Sequence, residues 1–255
     1  MSGKDLEARQ VIQEEEYDYP YHYIPAWEDG RFSQVAHWSW GYRYLGGIQV
    51  VLDQLQAGEF GSLVDIGCGD GRFLREAARM FPSVELLGID YSERAIGLAR
   101  ALNPELRFEA TDVIDDPLED RFDVATCIET LEHIPPERVP EFCEALAGSV
   151  RARGRLVLTV PHTNKGLNAK HYQHFDSNHL RKLLDPYFGQ IAFVPFDPRS
   201  RLMSVLQRLM GGAGGSFVLT DRRVTSWFYR LYRRRYLYAR SEAECWRIAA
   251  VCVRR

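Results

Sequence analysis

The sequence predicts an α/β protein whose parallel sheet is covered on both faces by helices. Three observations predict it. Between Leu63 and Val160, strand-like and helix-like stretches alternate with a beat of about 20 residues. A glycine-rich turn joins the first apolar run to the first helical stretch. The composition, 45% hydrophobic and 26% charged over 255 residues, is that of a globular chain long enough for one large core.

Residues 1 to 57 show no strand pattern. An aromatic-rich opening, EYDYPYHYIPAW, in which His22 and Tyr23 stand, precedes a helical stretch ending at Leu55, and the whole reads as a cover over the core. The runs SLVDIG, VELLGID, LRFEA, FDVATCI and RLVLTV are the predicted strands. In RFLREAARMF, Phe73, Leu74, Ala77, Ala78 and Phe81 mark one apolar helix face; in VPEFCEALAGSV, Val139, Phe142, Leu146 and Val150 do the same. Ser92 is placed to cap ERAIGLARAL, and Pro135–Pro136 suit a helix start. A helix near His179–Leu184 and a strand in GQIAFVPF follow.

An insertion then runs from Asp197 to about Ala243. Its first helical part aligns Leu202, Val205, Leu206 and Leu209; GGAGG at 211–215 reads as a flexible link. The second part aligns Val224, Trp227, Phe228, Leu231 and Tyr232, and CWRIAAVCV closes the chain as a strand. One domain is expected, divided into an N-terminal cover (1–57), a core (58–196), a helical insertion or lid (197–243) and a terminal strand (244–255).

The net charge of −3 argues against a nucleic-acid footprint over the whole surface. No stretch approaches the ~18 apolar residues of a membrane-spanning helix, and the first residues lack the apolar core of a signal peptide. The five cysteines, Cys68, Cys127, Cys143, Cys245 and Cys252, include no C-x-x-C pair. The expectation is a cytoplasmic protein with reduced thiols.

The chemistry gathers at strand ends. In VDIGCGDG, Gly67, Gly69 and Gly71 lie between a strand and a helix, where glycine permits positive φ and close approach of a ligand. Asp90 ends the next strand and suits the two hydroxyls of a ribose; Tyr91 beside it can lie on an adenine face, and Asp112 ends the strand after that. A dinucleotide fingerprint would need glycine at position 72, where Arg72 stands, and no Lys-Ser/Thr pair marks a phosphate loop. Asp65 and Asp70 flank the glycines, unfavourable for a pyrophosphate and favourable for a sulfonium and an ammonium.

On these motifs, with ATDV, FDVATCIETLEHIP and GRLVLTVP, residues 60 to 195 and the terminal strand resemble class I S-adenosylmethionine-dependent methyltransferases, in particular small-molecule O-methyltransferases of the ubiquinone-biosynthesis type. The resemblance implies a Rossmann-like seven-stranded sheet of order 3-2-1-4-5-7-6 with the last strand antiparallel. It implies S-adenosylmethionine as cofactor, held by Asp65, Gly67, Cys68, Gly69, Asp90, Tyr91, Asp112, Val113 and Ile128. Tyr42, Arg43 and Tyr44 are candidates for the cofactor's amino-acid end.

Glu129, Glu132 and His133 follow the fourth strand, where a helix would put them on one face. His162, His171 and His174 come later. An acceptor hydroxyl needs a base or a metal more than an amine does, so this set predicts O-methylation, with His171 or His174 as base, Glu129 orienting the acceptor and His162 in reserve. The same residues can instead hold the loop by hydrogen bonds, or bind Mg2+ or Mn2+ through Glu129, Glu132, His133 and His174. The small-RNA 2′-O-methyltransferases use a similar Glu-x-x-Glu-His with a later histidine, which leaves a metal-dependent RNA 2′-O-methyltransferase as an alternative. A non-catalytic cofactor-binding scaffold is the other.

Between Arg222 and Arg240 there are seven arginines and no acid, interleaved with aromatics. The segment reads as a lid helix, a contact with an anionic lipid surface, or a nucleic-acid patch. The acceptor expected is a small molecule, a sugar or a lipid-linked intermediate.

Overall fold

The computed structural model describes residues 25–28, 31–34, 38–209 and 221–255. Seven strands form the central sheet: β3 (Ser62–Ile66), β4 (Glu85–Asp90), β5 (Arg107–Ala110), β6 (Phe122–Ile128), β7 (Val150–Pro161), β8 (Phe188–Pro198) and β9 (Cys245–Arg254). Their spatial order is β5-β4-β3-β6-β7-β9-β8. Counted from β3, this is the expected 3-2-1-4-5-7-6. β9 runs antiparallel to both β7 and β8, while the other pairs are parallel.

Strands β3 and β6 are nearly all buried because helices cover both faces, which is why they read as unbroken apolar runs. One core lies on each side of the sheet. The first gathers Leu45, Leu55, Leu63, Leu74 and Val124 with Phe228 and Tyr232; the second gathers Ile66, Ile89, Leu146, Val160 and Phe188. The helices α1 (Trp38–Leu55), α2 (Arg72–Met80), α3 (Glu93–Leu102), α4 (Val139–Gly148), α5 (Ser177–Leu184), α6 (Arg201–Leu209) and α7 (Arg222–Arg235) supply the cover.

Local chemistry sets the helix starts. Ser92 Oγ accepts from Ala95 N at 3.1 Å, as expected of a cap. Asp176 caps α5 through His179 N at 2.7 Å, and Asp221 caps α7 through Arg223 N and Val224 N. The expected inner face of α4, Val139, Phe142 and Leu146, is buried.

Two expectations fail. Residues 1 to 57 do contain strands: β1 (Pro25–Glu28) and β2 (Arg31–Gln34) pair antiparallel, with Glu28 opposite Arg31. Such short strands carry too little alternation to show, but the intervening Asp29-Gly30 is itself a hairpin dipeptide. The apolar stripes of the insertion are also displaced. On α6, Leu202, Val205 and Leu209 are exposed while Met203 is buried; on α7, Val224 and Trp227 are exposed while Phe228, Tyr229 and Tyr232 are buried. His22, Tyr23 and the GGAGG stretch lie outside the described residues.

Helix α7 reaches α1 because Gly46 has no side chain: a Cβ there would lie 2.7 Å from Tyr232 Cε1. Tyr42 fits edge-on between Phe228 and Tyr232, at 4.9 and 4.7 Å between ring centroids. Phe228→Ala is expected to cost about 3–5 kcal/mol, read as a lowered denaturation midpoint at unchanged slope.

Candidate functional site

The glycine turn after β3 is left-handed at three residues, Gly67 (φ 77°), Gly69 (φ 55°) and Gly71 (φ 78°). At Gly67 the demand is steric as well, since a Cβ would lie 2.3 Å from Thr130 Oγ1. The turn is tied to β4: Gly69 N donates to Asp90 Oδ2 at 2.9 Å, and Ser92 N donates to Asp90 Oδ1 at 3.0 Å. Both oxygens are thereby fixed at the mouth of the turn. Asp112 accepts from Ile114 N at 3.0 Å and faces Arg138 at 3.6 Å.

Asp65 is buried at the end of β3 and accepts from Thr126 Oγ1 at 2.7 Å. Burial pushes its carboxyl up to about 7, partly offset by Thr126 and reinforced by Asp90. Burial likewise pushes the Cys68 thiol well up, so it is an inert neighbour of the turn.

Beyond β6 the backbone is not helical at Glu129, whose φ is 52°; Leu131–His133 make a single 3-10 turn. The shared helix face expected for residues 129, 132 and 133 is thus replaced by a sharp corner, pinned where Glu129 N donates to Thr159 O at 2.9 Å. The corner still aims both carboxyls inward. Among the described residues, Glu129 Oε1 and Glu132 Oε2 are buried without a hydrogen-bond partner. Burial, with Glu129 adding to it, pushes the Glu132 carboxyl well above the usual range.

A loop from β7 closes over this corner, anchored by Tyr172 N donating to Glu132 O at 2.9 Å. His133 Nδ1 meets Lys170 O at 3.1 Å, which makes it the donor and leaves the lone pair on Nε2. His174 Nδ1 donates to Lys165 O at 2.9 Å, so its Nε2 accepts from His171 Nδ1 at 2.8 Å. His171 Nε2 is then the acceptor, met by Asn168 Nδ2 at 3.2 Å. Burial, with His133 and Lys170 adding to it, holds the His171 imidazole down at about 2.

The five histidine and glutamate candidates therefore separate. Glu129, His133 and His171 line the cavity; His162 and His174 do not. His162 is a structural clip: Nδ1 accepts from Asn164 N at 3.0 Å and Nε2 meets Glu242 Oε1 at 3.0 Å, with Ser177 N and Oγ bound to the same carboxylate. His174 orients His171. Among the described residues, Glu132, His133 and His171 bring ligand atoms within 4.8 Å of one another. An acid and two imidazoles so placed fit a divalent cation, with His171 taking the place expected for His174 and the expected ligand Glu129 outside the cluster.

All nine candidate cofactor residues line one cavity of about 900 Å3, which continues past Glu129 to Arg43, Tyr44, Asp197, Gln207 and Arg247. Tyr42 lies behind the wall instead: its hydroxyl accepts from Arg43 Nε at 2.9 Å and donates to Gln207 Oε1 at 3.1 Å. Asp197, Gln207 and Arg247 were not among the sequence candidates. The only sequence signal is Arg247 itself, a lone charge inside the apolar run CWRIAAVCV.

Sheet order, left-handed glycine turn and strand-end acids together define the class I methyltransferase architecture. Residues 63–154 match the family described as "Methyltransferase domain". Residues 63–154 thus carry a methyltransferase domain, on the fold of class I, S-adenosylmethionine-dependent methyltransferases. The chain is 32% identical over 151 residues to a ubiquinone biosynthesis O-methyltransferase of Ralstonia nicotianae, covering 52% of this chain and 60% of that one. It is 32% identical over 124 residues to a probable fatty acid methyltransferase of Pseudomonas putida, covering 46% and 29%. The chain thus spans less than two thirds of either relative's length. Magnesium protoporphyrin IX methyltransferase from Synechocystis PCC 6803 shares the fold with a TM-score of 0.57 at 17% identity, over 99% of this chain and 100% of that one.

Proposed function

We propose that this chain transfers the methyl group of S-adenosylmethionine to an oxygen of a small or lipid-linked acceptor. The observation that carries the reading is one continuous cavity in which the glycine turn, Asp90 and Asp112 face the same space as Glu129, His133 and His171. Asp90 would hold the ribose hydroxyls, Asp112 the adenine amino group, and Asp65 with the turn the methionine end. The acceptor oxygen then attacks the sulfonium methyl in line, forming the methyl ether and S-adenosylhomocysteine while its proton leaves to a neighbouring base. Glu129 would take that proton. This revises the expected base, because the Nε2 lone pair of His174 accepts from His171 Nδ1 and that of His171 is met by Asn168 Nδ2.

A divalent cation, where bound, would be held by Glu132, His133 and His171, and would supply Lewis acidity that lowers the acceptor hydroxyl's pKa. The test is a screen of phenolic, sugar and lipid-linked alcohols with a labelled methyl donor, with and without magnesium or manganese. Label in an alkali-stable ether supports the reading; label only in amines, or in none of the acceptors, contradicts it. A cytoplasmic setting belongs to the same proposal and is supported by five free, buried thiols.

The pH dependence of cofactor binding follows from Asp65. Its pKa is about 7 in the free protein, and a nearby ammonium or sulfonium favours the carboxylate, so binding expels a proton. Affinity for S-adenosylhomocysteine should therefore rise with pH up to about 7, then flatten, with a slope of at most about ten-fold per pH unit below it. Calorimetry in buffers of different ionisation enthalpy reads the released proton. A flat profile between pH 5 and 8 contradicts the role given to Asp65.

Contact with an anionic lipid surface is also part of the proposal. No helix among the described residues is long and apolar enough to cross a membrane. Leu202, Val205 and Leu209 on α6 and Val224 and Trp227 on α7 are nevertheless exposed, and so are the arginines of α7. Sedimentation with phosphatidylglycerol vesicles but not with phosphatidylcholine vesicles is expected, weakened by Trp227→Ala. Equal sedimentation with both leaves the arginines as solvated surface only.

A further inference from the structure

The far end of the cavity holds charges that the methyl transfer itself does not need. Arg247 is 8% exposed and stands between Trp246 and Ile248, the one charge in β9 before its last residue, Arg254. Its Nη2 donates to the Arg43 carbonyl at 2.6 Å, and its Cζ lies 4.6 Å from the Phe196 ring centroid. Asp197, itself buried and left-handed at φ 54°, is the carboxylate it faces, with Oδ2 at 3.4 Å from Nε. The same carboxylate also faces Arg43 Nε at 3.5 Å. One carboxylate thus serves two guanidiniums, and all three side chains line the cavity.

This arrangement is costly for stability. A buried ion pair can often be exchanged as a whole for apolar residues of similar volume without loss, so stability alone gives little reason for this one. The fold also makes room for it: a Cβ on Gly47 would lie 2.6 Å from Arg247 Nη1. Nε has no aligned hydrogen-bond acceptor among the described residues, because the contact with Asp197 is ionic only. Burial works against the Arg247 cation, but Asp197 and then Glu129 outweigh it and push its pKa up. The guanidinium is therefore within electrostatic reach of the site of transfer.

Strand order separates this charge from the adenosine. The residues assigned to adenosine lie at the end of β4 and just past β5, whereas Arg247 is on β9, on the other side of β6. Two strand spacings, about 10 Å, separate β6 from β9, roughly the span of one aromatic ring with a substituent at each end.

We propose that the methyl acceptor carries an oxyanion, a carboxylate or a phosphate, and that Arg247, with Arg43 beside it, is the specificity-determining residue that holds it. This rests on the methyl-transfer reading above, since the anion would fix the acceptor's other end towards Glu129. Planar carboxylates and phosphates match the guanidinium fork, which a neutral acceptor does not.

The test uses 15N-labelled protein saturated with S-adenosylhomocysteine. The Arg247 Nε–H resonance, assigned by its loss in Arg247→Lys, is followed during titration with benzoate, phenyl phosphate and neutral benzamide. A saturable shift with benzoate or phenyl phosphate but not with benzamide is expected, and the two anions tell carboxylate from phosphate. Arg247→Lys should weaken the preferred anion by about ten-fold or more at unchanged S-adenosylhomocysteine affinity. No shift with either anion, or an equal shift with benzamide, overturns the proposal. Loss of S-adenosylhomocysteine binding in Arg247→Lys also overturns it, by assigning the arginine to the cofactor. Should the wild-type protein itself fail to bind S-adenosylhomocysteine, the methyl-transfer reading falls first and takes this inference with it. Should Arg247→Lys not fold, Arg247→Gln supplies the assignment and the wild-type titration decides.

Discussion

Asp90→Ala is expected to weaken S-adenosylhomocysteine binding by about a hundred-fold or more. Two effects add. A carboxylate that accepts from two ribose hydroxyls contributes hydrogen bonds to a charged group, about 1.5–3 kcal/mol each. The same oxygens hold Gly69 N and Ser92 N, so their loss also frees the glycine turn and the start of α3. Asp90→Asn keeps one acceptor oxygen and should fall between wild type and alanine. Calorimetric titration with S-adenosylhomocysteine measures both. Wild-type affinity in Asp90→Ala, with the fold intact, would remove the ribose from this strand end.

Glu132→Gln is expected to lower methyl transfer by about a hundred-fold or more while leaving S-adenosylhomocysteine affinity unchanged. The change is nearly isosteric, so packing in the 3-10 turn is kept and the readout is chemical. Glu132 is 1% exposed with one orphaned oxygen, and it shares a cluster with His133 and His171. An amide there can neither carry charge nor ligate as a carboxylate does. Were the residue only a loop clip, glutamine would satisfy the same contacts and turnover would stay within a few-fold. Chelation distinguishes the two chemical roles: a metal-assisted enzyme loses turnover with EDTA and regains it with manganese, whereas direct proton transfer is indifferent.

Much of the fold is legible in the sequence because buried parallel strands and amphipathic helices have distinct periods. Asp65 and Asp90 at their strand ends, and Asp112 just past β5, are readable for the same reason: a polar residue closing an apolar run faces the crevice. The stripes of α6 and α7 were misread because both helices carry apolar residues around much of their circumference. Period alone does not say whether Trp227 or Tyr229 meets α1; Gly46 decides it by admitting Tyr232.

The histidines show a different limit. Residue type announces proton or metal chemistry, but partners decide the duty. His162 is committed to Glu242, far along the chain, and His174 to Lys165 O. Asp197 and Arg247 were invisible in pattern because their pairing joins β8 to β9, and only the sheet brings them to Arg43.

A crystal structure with S-adenosylhomocysteine tests the central claim most directly. The ribose hydroxyls should lie about 2.5–3.0 Å from the Asp90 carboxylate, with the sulfur turned towards Glu129. An empty cavity at saturating ligand, or an adenosine bound away from Asp90, would contradict the account.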